Sequence, residues 1–201
     1  MSKICADCGL YPDFNRTFKM PSELDTRGQN KILLVPGTTD ICKHLEESIW
    51  FELLNLLRNE RLEVAVLGEP ERSDIVTKLL SAGAEHISTP TVKEAVNVIT
   101  GSRMLISVDT GLMHIALNQD VRTIAIMLKR SIYYRPVANC IALFAQESVP
   151  VTQSTGAGFP TVYDRFTWWD GQSRPGATPI KSIKAKQIFD TVLQELANPV
   201  S

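Results

Sequence analysis

Small hydroxyl residues, a lysine, two carboxylates and a histidine stand in this chain at points where apolar runs stop. The run Lys31–Val35 closes in Pro36-Gly37-Thr38-Thr39, with Lys43 close behind. At such a turn, backbone N–H groups, both hydroxyls and an ammonium can converge on phosphate oxygens. The same residues also suit a plain turn that caps the next helix. The run Leu62–Gly68 is followed by Glu69. A carboxylate beside a glycine can accept hydrogen bonds from ribose hydroxyls, although a solvated glutamate at a strand end is ordinary. Met104–Val108 breaks at Asp109-Thr110-Gly111, and His114 follows. Here Gly111 lets a ligand approach the backbone, and the new helix aims its first N–H groups at an anion. His114 lies one helical turn beyond Thr110, so both can face one cleft. Thr38, Thr39, Lys43, Glu69, Asp109, Thr110, Gly111 and His114 are the candidate ligand-binding residues. The catalytic residue is unknown from sequence.

The elements that must position these residues read from apolar patterning. Lys31–Val35, Leu62–Gly68, Met104–Val108, Thr123–Leu128 and Cys140–Ala145 are short apolar runs, each read as a buried strand, with a shorter strand at His86–Ser88. Between them lie amphipathic helices. The first places Ile49, Leu53, Leu56 and Leu57 on one stripe. The second starts with Pro70 in its first turn, carries Ile75, Val76, Leu79 and Leu80, and stops at Gly83. The third opens on the capping-box spacing Thr91 to Glu94 and runs to about Thr100. A fourth starts at Asp109-Thr110-Gly111, and a last runs over Ser182–Leu196. Strands apolar on both faces and alternating with helices predict an α/β fold, a doubly wound, Rossmann-like parallel sheet. Residues 1–30 read as an irregular N-terminal arm and 31–201 as one domain, with a loop-rich stretch over 149–179 that carries Phe166, Trp168 and Trp169.

Composition removes several function classes. Twenty-one Lys+Arg against 22 Asp+Glu offer no global attraction for nucleic acid or an anionic membrane. No apolar run approaches the roughly 18 residues of a membrane span. The opening MSKICADCGLYPDF lacks the apolar core of a secretory signal. Four cysteines in 201 residues are too few for a disulfide scaffold, which fits a cytoplasmic protein with reduced thiols. Cys5 and Cys8 have a spacing that can share a zinc ion. A tetrahedral site wants four ligands, which Cys42, His44 or Cys140 would complete only if folding brought them near. No metal site is therefore expected.

The octet D-T-G-x-x-H-x-A after an apolar strand resembles the signature of glycosyltransferase family 9, the ADP-heptose:lipopolysaccharide heptosyltransferases. P-G-T-T followed by Lys43 and Trp50 looks like a further motif of that family, and Leu67-Gly68-Glu69 like another, in the family's order. The resemblance runs from about Lys31 to Leu128 and more faintly to the last helix. It implies that Thr38, Thr39 and Lys43 hold a sugar-nucleotide diphosphate and that Glu69 takes the ribose. Asp109, Thr110, Gly111 and His114 would meet diphosphate and donor sugar. It implies an inverting, metal-independent transfer from a nucleotide sugar of the ADP-heptose type, with no cofactor.

The chain departs from the family at Leu45-Glu46, where Trp-Pro often stands, and in length. The family has the two-domain GT-B architecture, whose N-terminal half binds the acceptor and supplies a catalytic Asp. The residues before Lys31 are too few for such a half, so the chain looks like the C-terminal, donor-binding half alone. Two readings are open: a glycosyltransferase that works with an acceptor-binding polypeptide, or a non-catalytic nucleotide-sugar-binding or scaffold protein. A surface built to face another domain also predicts self-association, with Tyr133, Tyr134 and Arg135 as candidates for the pocket or interface. Phe166, Trp168 and Trp169, with Arg165 and Arg174, suit either a loop pinned by its aromatics or a sugar platform.

Overall fold

The computed structural model describes residues 19–40, 43–128, 139–145 and 179–197. Six strands pair into one sheet in the order β3-β2-β1-β4-β5-β6. They are β1 (Ile32–Val35), β2 (Val64–Val66), β3 (Glu85–His86), β4 (Met104–Val108), β5 (Thr123–Met127) and β6 (Cys140–Phe144). Every pairing is parallel. The helices are α1 (Glu47–Asn59), α2 (Asp74–Ser81), α3 (Val92–Thr100), α4 (Gly111–Asn118) and α5 (Ala185–Ala197). Strand order reverses between β1 and β4, and that is where a doubly wound sheet opens a crevice beyond its carboxyl ends.

Residue parity shows why the strands read as unbroken apolar runs. Ile32, Leu34, Val64, Val66, Ile106, Val108, Ile124 and Ile126 join one core with Trp50, Leu53 and Leu57 of α1, Val76 and Leu79 of α2, and Ile188 and Val192 of α5. Leu33, Val35, Ala65, Leu67 and Leu105 point the other way, onto Val98 and Ile99 of α3 and Ala116 of α4. Met113 of α4 covers Ala125 and Met127 of β5. The apolar side chains of β1, β2, β4 and β5 therefore lie in helix-covered layers on one face or the other, whereas β3 at the sheet edge carries exposed Glu85. Truncating a buried Leu of either layer to Ala costs about 2–5 kcal/mol.

Several boundaries differ from expectation for local reasons. β2 is shorter than Leu62–Gly68: Gly68 turns the chain at φ 124°, a conformation suited to glycine. β3 covers Glu85–His86, not His86–Ser88. Pro70 opens a separate 3-10 turn over Pro70–Arg72, and extended Ser73 divides it from α2. The Thr91–Glu94 capping box forms as expected: Glu94 N donates to Thr91 Oγ1, and Thr91 N to the Glu94 carboxylate. The Thr38-Thr39 turn does not cap α1, whose first residue is Glu47 and whose cap is Glu46. Leu45 instead forms a parallel bridge with Ile180, which draws residues 44–46 out of helical geometry.

Residues 19–30 pack along α3 and α4. Gln119 exchanges two hydrogen bonds with the Met20 backbone, at 2.7 and 3.0 Å, and Glu23 N donates to Asn97 Oδ1 at 2.8 Å. A Cβ on Gly28 would lie 2.2 Å from the Val98 carbonyl oxygen, so only glycine permits this close approach. The Cys5–Cys8 pair, Cys42, Tyr133, Tyr134, Arg135 and the aromatics of 149–179 lie outside the described residues. Among the described residues no group of His, Cys, Asp or Glu is arranged to hold a metal, and no helix is long and apolar enough to cross a membrane.

Candidate functional site

The site is built from the segments that leave the carboxyl ends of β1, β2 and β4. β4 is buried throughout, so the first polar side chain the chain can turn outward there is Asp109. Thr110 then takes an extended conformation (φ −143°, ψ 170°) as the cap of α4, with no side-chain hydrogen bond to the helix. Its hydroxyl instead lies 3.4 Å from Ser107 Oγ, which donates to the Val108 carbonyl at 2.6 Å. The first turn of α4 carries no acidic residue and starts on exposed Gly111. Its partly positive N-terminus thus begins at an exposed residue, with no carboxylate within the first turn itself.

Asp109 is the hub. Lys43 Nζ approaches Asp109 Oδ2 at 2.8 Å, and His114 Nε2 lies 3.8 Å from Oδ1. The carboxylate is 18% exposed, Lys43 38% and His114 50%. An ammonium and an imidazole from two chain segments therefore flank one carboxylate at the switch point, and both retain accessible surface for a ligand.

The turn after β1 completes this side. His44 Nε2 lies 2.7 Å from the Thr38 carbonyl oxygen, Lys43 N donates to the Asp40 carbonyl at 2.9 Å, and Asp40 N reaches Thr38 Oγ1 at 3.5 Å. Thr39 is exposed, and Thr38 half-buried. Trp50, part of the same sequence motif, belongs to the core: it is fully buried, and its Nε1 has no hydrogen-bond partner among the described residues.

Glu69 stands apart from the trio, after β2. It lines a cavity of about 490 Å³ with Arg72, Thr91, Ala95, Leu112 and Ile115, a size typical of small-molecule pockets. His86 Nε2 bonds the Gly68 carbonyl at 2.9 Å and so fixes the turn that presents Glu69. The cavity is walled by α3 and α4, and its Leu112 is two residues before His114, so the two subsites share α4.

Of the chain's three histidines, the sequence marks His114 as a ligand-binding candidate and His44 only as a possible fourth-ligand donor to a zinc site. The roles of His44 and His86 beside the strand ends are not marked, because their partners are backbone carbonyls brought near only by folding. Ser107 was also missed; a lone serine inside MLISV is the one signal that could have marked it.

Comparison with known proteins decides the family. The sequence profile of Glycosyltransferase family 9 (heptosyltransferase) matches residues 12–144, more than half of the chain. The chain belongs to glycosyltransferase family 9. The match begins earlier and ends later than Lys31–Leu128, so part of the N-terminal arm falls within the family pattern. Lipopolysaccharide heptosyltransferase 1 of Salmonella typhimurium is 29% identical over 87 residues, covering 42% of this chain and 27% of that protein. The structure of E. coli heptosyltransferase WaaC with ADP-2-deoxy-2-fluoro heptose superposes with a TM-score of 0.62 at 17% identity, covering 95% of this chain and 53% of that one. A family 9 glycosyltransferase from Veillonella parvula DSM 2008 also gives 0.62, at 13% identity, over 98% of this chain and 50% of that one. The chain thus spans about half the length of these solved structures and less of the Salmonella relative. The parallel sheet is that of the family 9 heptosyltransferase structures, as expected from the sequence.

Proposed function

We propose that this chain is the donor-binding part of a cytoplasmic, heptosyltransferase-like glycosyltransferase that takes a nucleoside-diphosphate sugar of the ADP-heptose type. The observation that carries the reading is the meeting of Lys43 and His114 at Asp109 on the switch point of the sheet. Family membership and the cavity beside Glu69 support it.

In this reading the nucleoside enters the cavity next to Glu69, whose carboxylate accepts from ribose hydroxyls. The diphosphate lies across the ends of β1 and β4. There Thr38, Thr39 and Lys43 meet it from one side, and Thr110, Gly111 and the N-terminus of α4 from the other. Asp109 and His114 face the sugar end. An acceptor hydroxyl attacks the anomeric carbon, the bond to the diphosphate breaks, and configuration inverts. Charge grows on the leaving diphosphate in the transition state, where a preset ammonium and helix amides stabilise it more than in the ground state. Lys43 and α4 supply that positive charge, so the reading invokes no metal or cofactor. The hydroxyl proton goes to a base on an acceptor-binding half, which the family resemblance implies. The acceptor is a glycan or lipopolysaccharide precursor.

Calorimetric titration of the purified chain with ADP, UDP and GDP tests this. We expect saturable binding of ADP that weakens with salt, and weaker binding of the other two. No binding at millimolar ADP sinks the proposal. Binding without transfer to any acceptor, even beside an acceptor-binding half, would leave a non-catalytic nucleotide-sugar-binding protein.

A further inference from the structure

We infer that His44 is a positioning residue for the diphosphate-binding turn: its ring grips the Thr38 carbonyl and thereby sets the direction of the Thr39 N–H. The inference rests on the proposed function and adds to it a residue that touches no ligand.

The geometry determines the proton's place. His44 Nε2 lies 2.7 Å from Thr38 O. A carbonyl oxygen only accepts, so Nε2 carries the hydrogen. The described residues include no cis peptide, and in a trans peptide C=O and N–H point to opposite edges. Holding Thr38 C=O toward His44 therefore turns the N–H of exposed Thr39 away from the ring. A turn amide held in this way is pre-oriented to donate to an anion.

His44 is itself anchored. Its carbonyl accepts from Ile180 N at 2.6 Å, and Glu46 N donates to the Ile180 carbonyl at 3.0 Å. Leu45 and Ile180, bridged between these bonds, are 2% and 3% exposed. The ring thus links the turn to the buried core beside α5. Within the turn, by contrast, Asp40 N reaches Thr38 Oγ1 only at 3.5 Å, the limit of a hydrogen bond. Neighbouring side chains divide the work: Lys43 extends to Asp109, and His44 reaches back to Thr38.

The test compares ADP with adenosine, which lacks the diphosphate, by calorimetry on the wild-type chain and on His44→Ala, His44→Asn and His44→Gln, with melting curves for each. A glutamine amide reaches as far as imidazole Nε2, whereas asparagine's does not. We expect His44→Gln to bind ADP within about threefold of wild type, and His44→Asn and His44→Ala to lose about tenfold, the scale of one hydrogen bond. Adenosine affinity should be unchanged throughout. If His44→Ala fails to fold, the Gln and Asn pair still decides. Variants that bind ADP like wild type, or that lose ADP and adenosine equally, overturn the positioning role alone. A wild-type chain that binds neither ligand overturns the functional reading and this inference with it.

Discussion

Lys43 Nζ and Asp109 Oδ2 lie 2.8 Å apart, joining the segment after β1 to the end of β4 across the point where strand order reverses. With the lysine side chain more than a third exposed, solvent screens the pair, and its contribution to folding is about 0–1 kcal/mol. A charged hydrogen bond to a bound diphosphate is worth more, about 1.5–3 kcal/mol. Lys43→Met should therefore barely move the melting temperature while weakening ADP by about tenfold or more. Parallel melting and calorimetry check this, and an unchanged ADP affinity would place the diphosphate elsewhere.

Gly111 separates ligand access from folding in the opposite sense. It is exposed at the start of α4, its φ is not positive, and a Cβ built there meets nothing within 4 Å among the described residues. Alanine is the better helix former by about 1 kcal/mol, so Gly111→Ala should leave the fold as stable or slightly more so. A ligand that approaches the backbone here would collide with the new methyl. The expected result is a raised melting temperature with reduced ADP affinity. Equal ADP affinity would show that the ligand does not approach Gly111.

The central strands β1, β2, β4 and β5 were legible because both their faces are buried, which writes them as runs such as KILLV and MLISV; β3, with exposed Glu85, carries no such run. Helix starts were legible where a side chain caps the helix, as at Thr91. What could not be read were contacts made by folding between distant backbone and side chain. The bridge of Leu45 to Ile180 moves the start of α1 away from the Thr pair, and nothing near Thr38 signals it. The rings of His44 and His86 seek carbonyls, which every residue carries, so no spacing marks them. The Asp109 hub was half legible. The turn from Asp109 to His114 is local, whereas the arrival of Lys43 depends on β1 and β4 lying side by side.

Burial in β6 raises the Cys140 thiol to about 11 from an ordinary 9.0, because the thiolate is poorly solvated there. The folded state then holds the proton more tightly than the unfolded state. The resulting stability is fully present below pH 9.0 and is lost as pH rises through about 11. In a chain carrying Cys5→Ser, Cys8→Ser and Cys42→Ser, alkylation of Cys140 should be slow at neutral pH, with a midpoint near 11. A midpoint near 9.0 would mean that the thiol is open to solvent.

Gly37 and Ser73 should prove coupled. A Cβ on Gly37 would lie 2.9 Å from Ser73 Oγ and 3.3 Å from Ser73 Cβ, so Gly37→Ala requires either the Ser73 side chain to rotate or the turn after β1 to shift from the segment leading into α2. Overpacking of this kind costs about 1–3 kcal/mol, and a displaced turn should also bind ADP more weakly. The Ser73 hydroxyl is buried, with no hydrogen-bond partner among the described residues. Removing an unsatisfied buried hydroxyl takes away a desolvation penalty, so Ser73→Ala alone should be neutral or stabilising. In the double variant the closest contact relaxes from the hydroxyl to the methyl carbon. Its stability and ADP affinity should exceed the sum of the single effects, with a coupling of about 1 kcal/mol in a double-mutant cycle. Strict additivity would show that the turn absorbs the methyl without touching Ser73, and that glycine at this position serves the ligand rather than the packing beneath it.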